Sequence, residues 1–224
     1  MEQSLTIVLP TRNAARLLAA TIHNLRGQCH EMIITDGGSQ DGTIQLALES
    51  GARLVAGPPG RGVQLATGAA AARTPWLLFL HADTRLGPGW QAAIAAHMAA
   101  PANRHRAAYF RFALDDPSRQ ARRLERAVAW RCRFLALPYG DQGLLISRAL
   151  YDEVGGFRPL PLMEDVDLIR RLGRRRLVAL PVAAVTSAAR WQREGWWRRS
   201  ARNLCCLGLW FLGVPPRRIR RLYG

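Results

Sequence analysis

The sequence predicts an α/β fold in which a mostly parallel sheet is covered by helices on both faces. Three observations predict it. Short, continuously apolar runs alternate with segments of helical spacing through residues 1–100. Each run stops at a proline, an aspartate or a glycine-rich turn, as strands do when they open into loops. The 224 residues are 49% hydrophobic and 21% charged, which supports one buried core without disulfides and excludes wholesale disorder.

The elements follow in order. Leu5–Leu9 is a buried strand ended by Pro10, and residues 14–26 have helical spacing. Met32–Thr35 is a second strand, ending at Asp36 and a turn, Gly37-Gly38-Ser39-Gln40-Asp41-Gly42. Thr43–Ser50 is a helix closed by Gly51, and Arg53–Ala56 is a third strand. Gly57-Pro58-Pro59-Gly60 leads into an alanine-rich helix, Val63–Arg73. Trp76–Leu80 is a fourth strand, ending at His81-Ala82-Asp83.

The second half is less regular. Tyr109–Leu114 and residues 143–147 alternate like strands, and Ser118–Leu137 is a long Arg-rich helix. Pro161–Leu172 carries an acidic cluster at a helix start, and Leu177–Leu180 is a short strand. Trp196–Leu212 and Pro216–Tyr223 are amphipathic helices. The expected division is residues 1–190 as the main domain, split at residue 100, and 191–224 as a basic helical extension.

All 32 basic residues are Arg, and the formal charge is +16. With no Lys, Schiff-base and P-loop lysine chemistry are excluded. Residues 1–100 hold seven Arg and six acids, whereas residues 101–224 hold 25 Arg and ten acids. A basic tail suits nucleic acid or an anionic membrane surface. No helix-turn-helix, zinc-finger or RNP signature is present, and the best strand-end positions hold Asp, so nucleic acid is the weaker partner.

The cysteines, Cys29, Cys132, Cys205 and Cys206, form no CxxC pair, and a reduced cytoplasmic protein is the expectation. The first residues have no basic segment of a secretory signal. The longest strongly apolar run, Leu204–Val214, is eleven residues against the ~20 of a membrane span. Trp191, Trp196, Trp197, Trp210 and Phe211 interleave with arginines, a pattern that suits peripheral docking on the inner face of an anionic membrane. Packing of the same aromatics on the core, or in a homodimer interface, suits it equally.

Loops at the carboxyl ends of parallel strands form a binding crevice, and here they carry Thr11, Asp36 and Asp83. A carboxylate at Asp36 suits paired N–H donors of a pyrimidine, or simply a turn. His81 and Asp83 suit a divalent cation bridging phosphates, or a helix cap. Glu164-Asp165-Val166-Asp167 crowds three acids into one helical turn, which costs stability unless a charge or a reaction uses them. Arg61, at a helix start, suits a diphosphate.

Together these stretches resemble family 2 glycosyltransferases of the GT-A fold. The matching pieces are Ile7-Val8-Leu9-Pro10-Thr11-Arg12-Asn13, Asp36 through Thr43, Phe79-Leu80-His81-Ala82-Asp83-Thr84, Val154-Gly155-Gly156-Phe157 and Met163-Glu164-Asp165. Gly60-Arg61-Gly62-Val63-Gln64, Gly140-Asp141-Gln142-Gly143 and the ending from Leu212 to Tyr223 resemble a small bacterial subfamily associated with radical-SAM/selenium-domain genes or arsenosugar biosynthesis.

The resemblance implies an inverting enzyme that moves a sugar from a nucleotide-diphosphate donor, a UDP-sugar above all, to a small-molecule or lipid acceptor. It implies a nucleotide pocket of Pro10, Thr11, Asp36, Arg61, Gln64, Ala82 and Asp83. It implies a divalent cation, Mn²⁺ or Mg²⁺, on Asp83 and His81, and a catalytic base at Asp165 with Glu164 beside it. Asp141, Gln142, Arg190 and Trp191 fall to the diphosphate or the acceptor. Two positions depart from the family pattern: Ala14 stands where an acid is usual, and His81 replaces the first Asp of the metal motif. These departures suit a nucleotide-binding protein without catalysis as the alternative. Ser187 replaces the Gln of the Gln-x-x-Arg-Trp motif that the segment ending in Arg190-Trp191 resembles, which argues against processive synthesis.

Overall fold

The computed structural model describes residues 4–27 and 29–223. The first half runs β1 (Leu5–Thr11), α1 (Ala15–Leu25), β2 (Glu31–Asp36), α2 (Thr43–Glu49), β3 (Arg53–Ala56), α3 (Arg61–Ala71) and β4 (Trp76–Phe79). It continues through β5 (Thr84–Leu86), α4 (Trp90–Ala99), β6 (Ala107–Leu114), α5 (Arg119–Leu135), β7 (Leu144–Ser147) and α6 (Arg148–Glu153). The chain ends with α7 (Glu164–Leu172), β8 (Leu177–Thr186), α8 (Ala189–Glu194), α9 (Trp196–Phe211) and α10 (Pro216–Tyr223).

The strands form one eight-stranded sheet in the order β3-β2-β1-β4-β7-β6-β8-β5. The expected parallel half is present: β2–β3, β1–β2 and β1–β4 all pair parallel. β7 then pairs antiparallel with both β4 and β6, and β6 pairs parallel with β8. β1 is central, so Ile7, Val8 and Leu9 are wholly buried, which explains their uninterrupted apolar run. Gly68 lets α3 lie directly on this strand, because a Cβ there would stand 2.3 Å from Val8 Cγ1.

Two apolar layers cover the sheet. One gathers Val8, Ile33, Phe79, Ile146, Val166 and Ile169, and the other Ile7, Leu9, Leu18, Ile34, Leu78 and Phe110. The C-terminal helices belong to the first layer, for Cys206, Leu207 and Ile219 are buried in it. Trp197, Leu204, Phe211, Leu212 and Leu222 stay exposed. Among the described residues no helix is long and apolar enough to cross a membrane.

Several elements differ from the sequence reading. β8 does not stop at Leu180 but runs to Thr186, through an irregularity opposite Tyr109–Arg111 that accommodates Pro181. α4 lacks a polar face, and so the periodicity that marks a helix. β5, α6 and α8 are each six residues or fewer. α5 ends at Ala136, which takes a left-handed φ of 53°.

Candidate active site

β1 and β2 end in register, with Thr11 opposite Asp36. Both are buried, and Thr11 Oγ1 donates to Asp36 Oδ2 at 2.9 Å. Gly38 N and Ser39 N donate to Oδ1 at 3.0 and 2.7 Å, and Ser39 Oγ donates to Oδ2. Burial pushes the Asp36 carboxyl up, but these donors more than offset it and hold the carboxyl below its ordinary value. All four lone-pair positions of the carboxylate are thus taken within the protein. A base N–H would have to share or displace a donor.

Gln64 lies beneath the same turn. Its Nε2 donates to Thr11 O and Thr35 O, both at 2.7 Å, so the side-chain amide ties the ends of β1 and β2 together. Both donors expected for the nucleotide are therefore spent on backbone carbonyls. Pro10 sits opposite Thr35 in the ladder, and Ala82 O accepts from Thr21 Oγ1 at 2.8 Å.

Beyond β4 the chain places Asp83, whose carboxylate makes no hydrogen bond among the described residues. His81 faces Arg61, with Nη1 3.5 Å from its Nε2. A guanidinium only donates, so Nε2 is the acceptor and Nδ1 carries the proton. Burial first, then Arg61 and Arg190, hold the imidazole well below its ordinary pKa, so it is neutral. Its Nε2 lone pair is therefore directed to Arg61, and the expected use of that nitrogen on a cation would have to break this contact.

Arg61 also forms an ion pair with Glu164 from the first turn of α7, across 103 residues of sequence. Glu164 is 1% exposed, and burial raises its pKa against the pull of Arg61. Met163, in the left-handed region at φ 66°, makes the turn that aims Glu164 and Asp165. Asp165 Oδ2 accepts from Gly140 N at 2.8 Å, and Oδ1 accepts from Val166 N at 2.8 Å. A side chain at Gly140 would crowd this corner, since a Cβ would stand 2.7 Å from His81 Nε2 and 3.3 Å from Asp165 Oδ2. This contact joins three separate motifs, and sequence reading assigned Gly140 no role.

The remaining expected residues divide. Gln142 is buried, donating to Phe110 O at 2.9 Å and accepting from Tyr139 N at 3.3 Å, and so shapes the loop from inside. Asp141 turns the other way and lines a cleft of about 580 Å³ together with Asp83, Asp165, His81 and Arg61. Burial, then the carboxylates of Asp165 and Asp83 against the pull of Arg131, push its pKa up to about 6. Its Oδ1 is buried with no hydrogen-bond partner. Arg190 and Trp191 line the same cleft, with Trp191 edge-on to Phe112 and beneath Arg199.

No three His, Cys, Asp or Glu among the described residues close on one point as a complete metal cage. Asp83 and the orphaned Asp141 oxygen instead fit a cation held by one or two carboxylates, with phosphate oxygens and water completing its shell.

Solved structures share this architecture. Glucosyl-3-phosphoglycerate synthase from Mycobacterium tuberculosis, in complex with Mn²⁺, UDP and glucosyl-3-phosphoglycerate, superposes with a TM-score of 0.59 at 22% identity, over 82% of this chain and 70% of that one. S. aureus TarS 1-349 superposes with a TM-score of 0.62 at 13% identity, over 99% of this chain and 69% of that one. TarS has also been solved with UDP-GlcNAc, and there the TM-score is 0.60 at 14% identity over 82% of this chain and 59% of that one. No curated protein sequence matches the chain. At these identities the likeness establishes the GT-A fold, while residues 6–160 match the model of a sequence family described as Glycosyl transferase family 2. With its strand-end Thr11, Asp36 and Asp83 and the acidic start of α7 on that fold, the chain belongs to glycosyl transferase family 2.

Proposed function

We propose that the protein transfers a sugar from a UDP-sugar to an acceptor hydroxyl with inversion of the anomeric centre. The observation that carries this reading is Asp165: it faces the cleft beside Asp83 and Arg61, with its carboxylate oriented by Gly140 N–H. Thr11 and Asp36 form the base end of the donor site, and Arg61 and Arg190 face the departing diphosphate. Asp165 takes the proton of the attacking hydroxyl, as a general base on the acceptor side. A single displacement from that side inverts the anomeric carbon. Asp83 and Asp141 would hold a Mn²⁺ or Mg²⁺ ion, which supplies charge neutralisation for the diphosphate. The UDP and Mn²⁺ found with structural neighbours support this reading.

Hydrolysis of a UDP-sugar panel with Mn²⁺ or Mg²⁺ tests donor and metal together. Asp83→Ala is expected to remove the metal-dependent part of UDP affinity, read by calorimetry with and without Mn²⁺. Equal metal enhancement in variant and wild type would place the cation elsewhere. Asp36→Ala is expected to weaken UDP binding and to cost about 2 kcal/mol or more in urea unfolding, since four donors lose a charged acceptor. Unchanged UDP affinity in the folded variant would remove Asp36 from the base site.

A reading without catalysis draws on His81, whose Nε2 is engaged by Arg61 where the family motif has a carboxylate. Release of UDP in the hydrolysis panel decides against it. The exposed Trp197, Leu204, Phe211 and Leu212 among arginines support peripheral docking on an anionic membrane. Sedimentation with anionic but not neutral vesicles, weakened by salt, is the expected result.

A further inference from the structure

The cleft that holds Asp165 is much longer than a sugar needs. One wall is a single face of α5: Gln120, Arg123 and Leu124, Ala127 and Val128, Arg131, and Leu135 recur at three- and four-residue spacing. The opposite wall is a single face of α9, with Trp196, Ser200, Leu204 and Leu207 in the same rhythm. At 1.5 Å per residue the α5 wall is about 22 Å long. Pro10, Thr11, Asp36 and Gln64 do not line this cleft; it meets the donor side only at Arg61, His81 and Asp83. It is therefore continuous with the reaction centre from the acceptor direction.

Its chemistry is graded. The floor carries three carboxylates, Asp83, Asp141 and Asp165; Arg61, Arg123, Arg131, Arg190 and Arg199 also line the cleft, and most of the remaining wall is apolar. An exposed rim follows, with Trp130 at 56%, Leu135 at 51%, Trp197 at 80% and Leu204 at 65% exposure. Trp191 Nε1 and Asn203 Oδ1 are buried in the lining with no hydrogen-bond partner. A folded protein rarely leaves a donor and an acceptor orphaned in this way unless something else supplies partners. A polar head near the floor and an apolar body along the walls match this gradient. A general base at Asp165 needs a nucleophile that still carries its proton, which a neutral hydroxyl supplies.

We propose that the cleft between α5 and α9 binds the acceptor, and that the acceptor is a lipid with a neutral hydroxyl head and its apolar chain lying between the two helices. This rests on the glycosyltransferase reading above and narrows its acceptor. In the reaction the hydroxyl oxygen bonds to the anomeric carbon as the bond from that carbon to the diphosphate oxygen breaks. The hydroxyl proton passes to Asp165, and UDP leaves with the electron pair.

The test uses 1-O-alkylglycerols of four, eight and twelve carbons, each below its micelle threshold, in titration calorimetry with the full chain. UDP binding is measured on the same preparations. Affinity is expected to rise about threefold to fourfold for each added methylene, as for a chain transferred into an apolar groove. Ala127→Glu and Leu204→Glu place a charge on either wall at exposed positions and are expected to flatten that rise at least tenfold for the twelve-carbon probe. Leu48→Glu, at an exposed leucine of α2 outside the cleft, is expected to change nothing. Affinity that ignores chain length, or that rises equally in both wall variants, overturns the lipid acceptor while intact UDP binding leaves the donor reading standing. Wild-type protein that binds the twelve-carbon probe but no UDP overturns the donor reading, and with it the assignment of the cleft to an acceptor.

Discussion

Asp165→Asn is expected to lower turnover by about 100-fold or more while leaving UDP affinity within about twofold. The asymmetry comes from how the carboxylate is held. Asp165 Oδ2 accepts a 2.8 Å hydrogen bond from Gly140 N, and an amide oxygen can keep that bond. The substitution therefore preserves shape and removes only basicity. In the proposed donor site the uridine end meets Thr11 and Asp36, neither of which lines the cleft that Asp165 faces. A loss of turnover with intact UDP binding is the signature of an interaction made only in the transition state. Initial rates and UDP calorimetry on one preparation check it. Normal turnover would move the base to another acid of the cleft, Asp141 or Asp83.

The first half of the fold was legible because its central strands are buried on both faces. Ile7-Val8-Leu9 reads as a continuous apolar run for the same reason that it has no exposed surface. Asp36 and Asp83 were legible because each follows such a run, so the topology alone puts them at one edge. The second half was less so. α4 is apolar on every side and has no period to detect, and Pro181 hides the continuation of β8 behind an irregularity that only the β6 partner explains. In the site, the residue types were legible and their partners were not. Nothing local ties Arg61 to Glu164 or Gly140 to Asp165, since those contacts span 103 and 25 residues. Gln64 and Gln142 show the same limit: both are polar residues in matching motifs, and their bonds to buried backbone carbonyls come from distant strands that the motifs do not reveal. The C-terminal aromatics also divide, for Trp191 packs on Phe112 while Trp197 stays exposed.

The Arg61–Glu164 pair carries the second large effect, on stability. Glu164 is 1% exposed, its Oε2 has no partner, and Arg61 is its one ionic partner among the described residues. The Arg61 side chain is 36% exposed against 1% for Glu164, so the glutamate is the more deeply buried partner. Arg61→Ala leaves a buried carboxylate uncompensated, and the expected loss is about 3–5 kcal/mol near neutral pH. The variant can relieve this by protonating Glu164, whose pKa burial already raises above its ordinary 4.5. An acid raised in the folded state binds more protons there than in the unfolded chain, so stability falls as pH climbs from 4.5 to the folded value. Arg61→Ala is therefore expected to be less destabilised at pH 5 than at pH 8 in urea unfolding. Adding Glu164→Gln should recover most of the loss and flatten that dependence, because the neutral amide no longer needs the guanidinium. It should not recover turnover, since the positive charge facing the diphosphate is still absent. Equal destabilisation at both pH values, or no rescue by Glu164→Gln, would show that Arg61 stabilises the fold through contacts other than this buried pair. Recovery of turnover in the double variant would remove Arg61 from the diphosphate site.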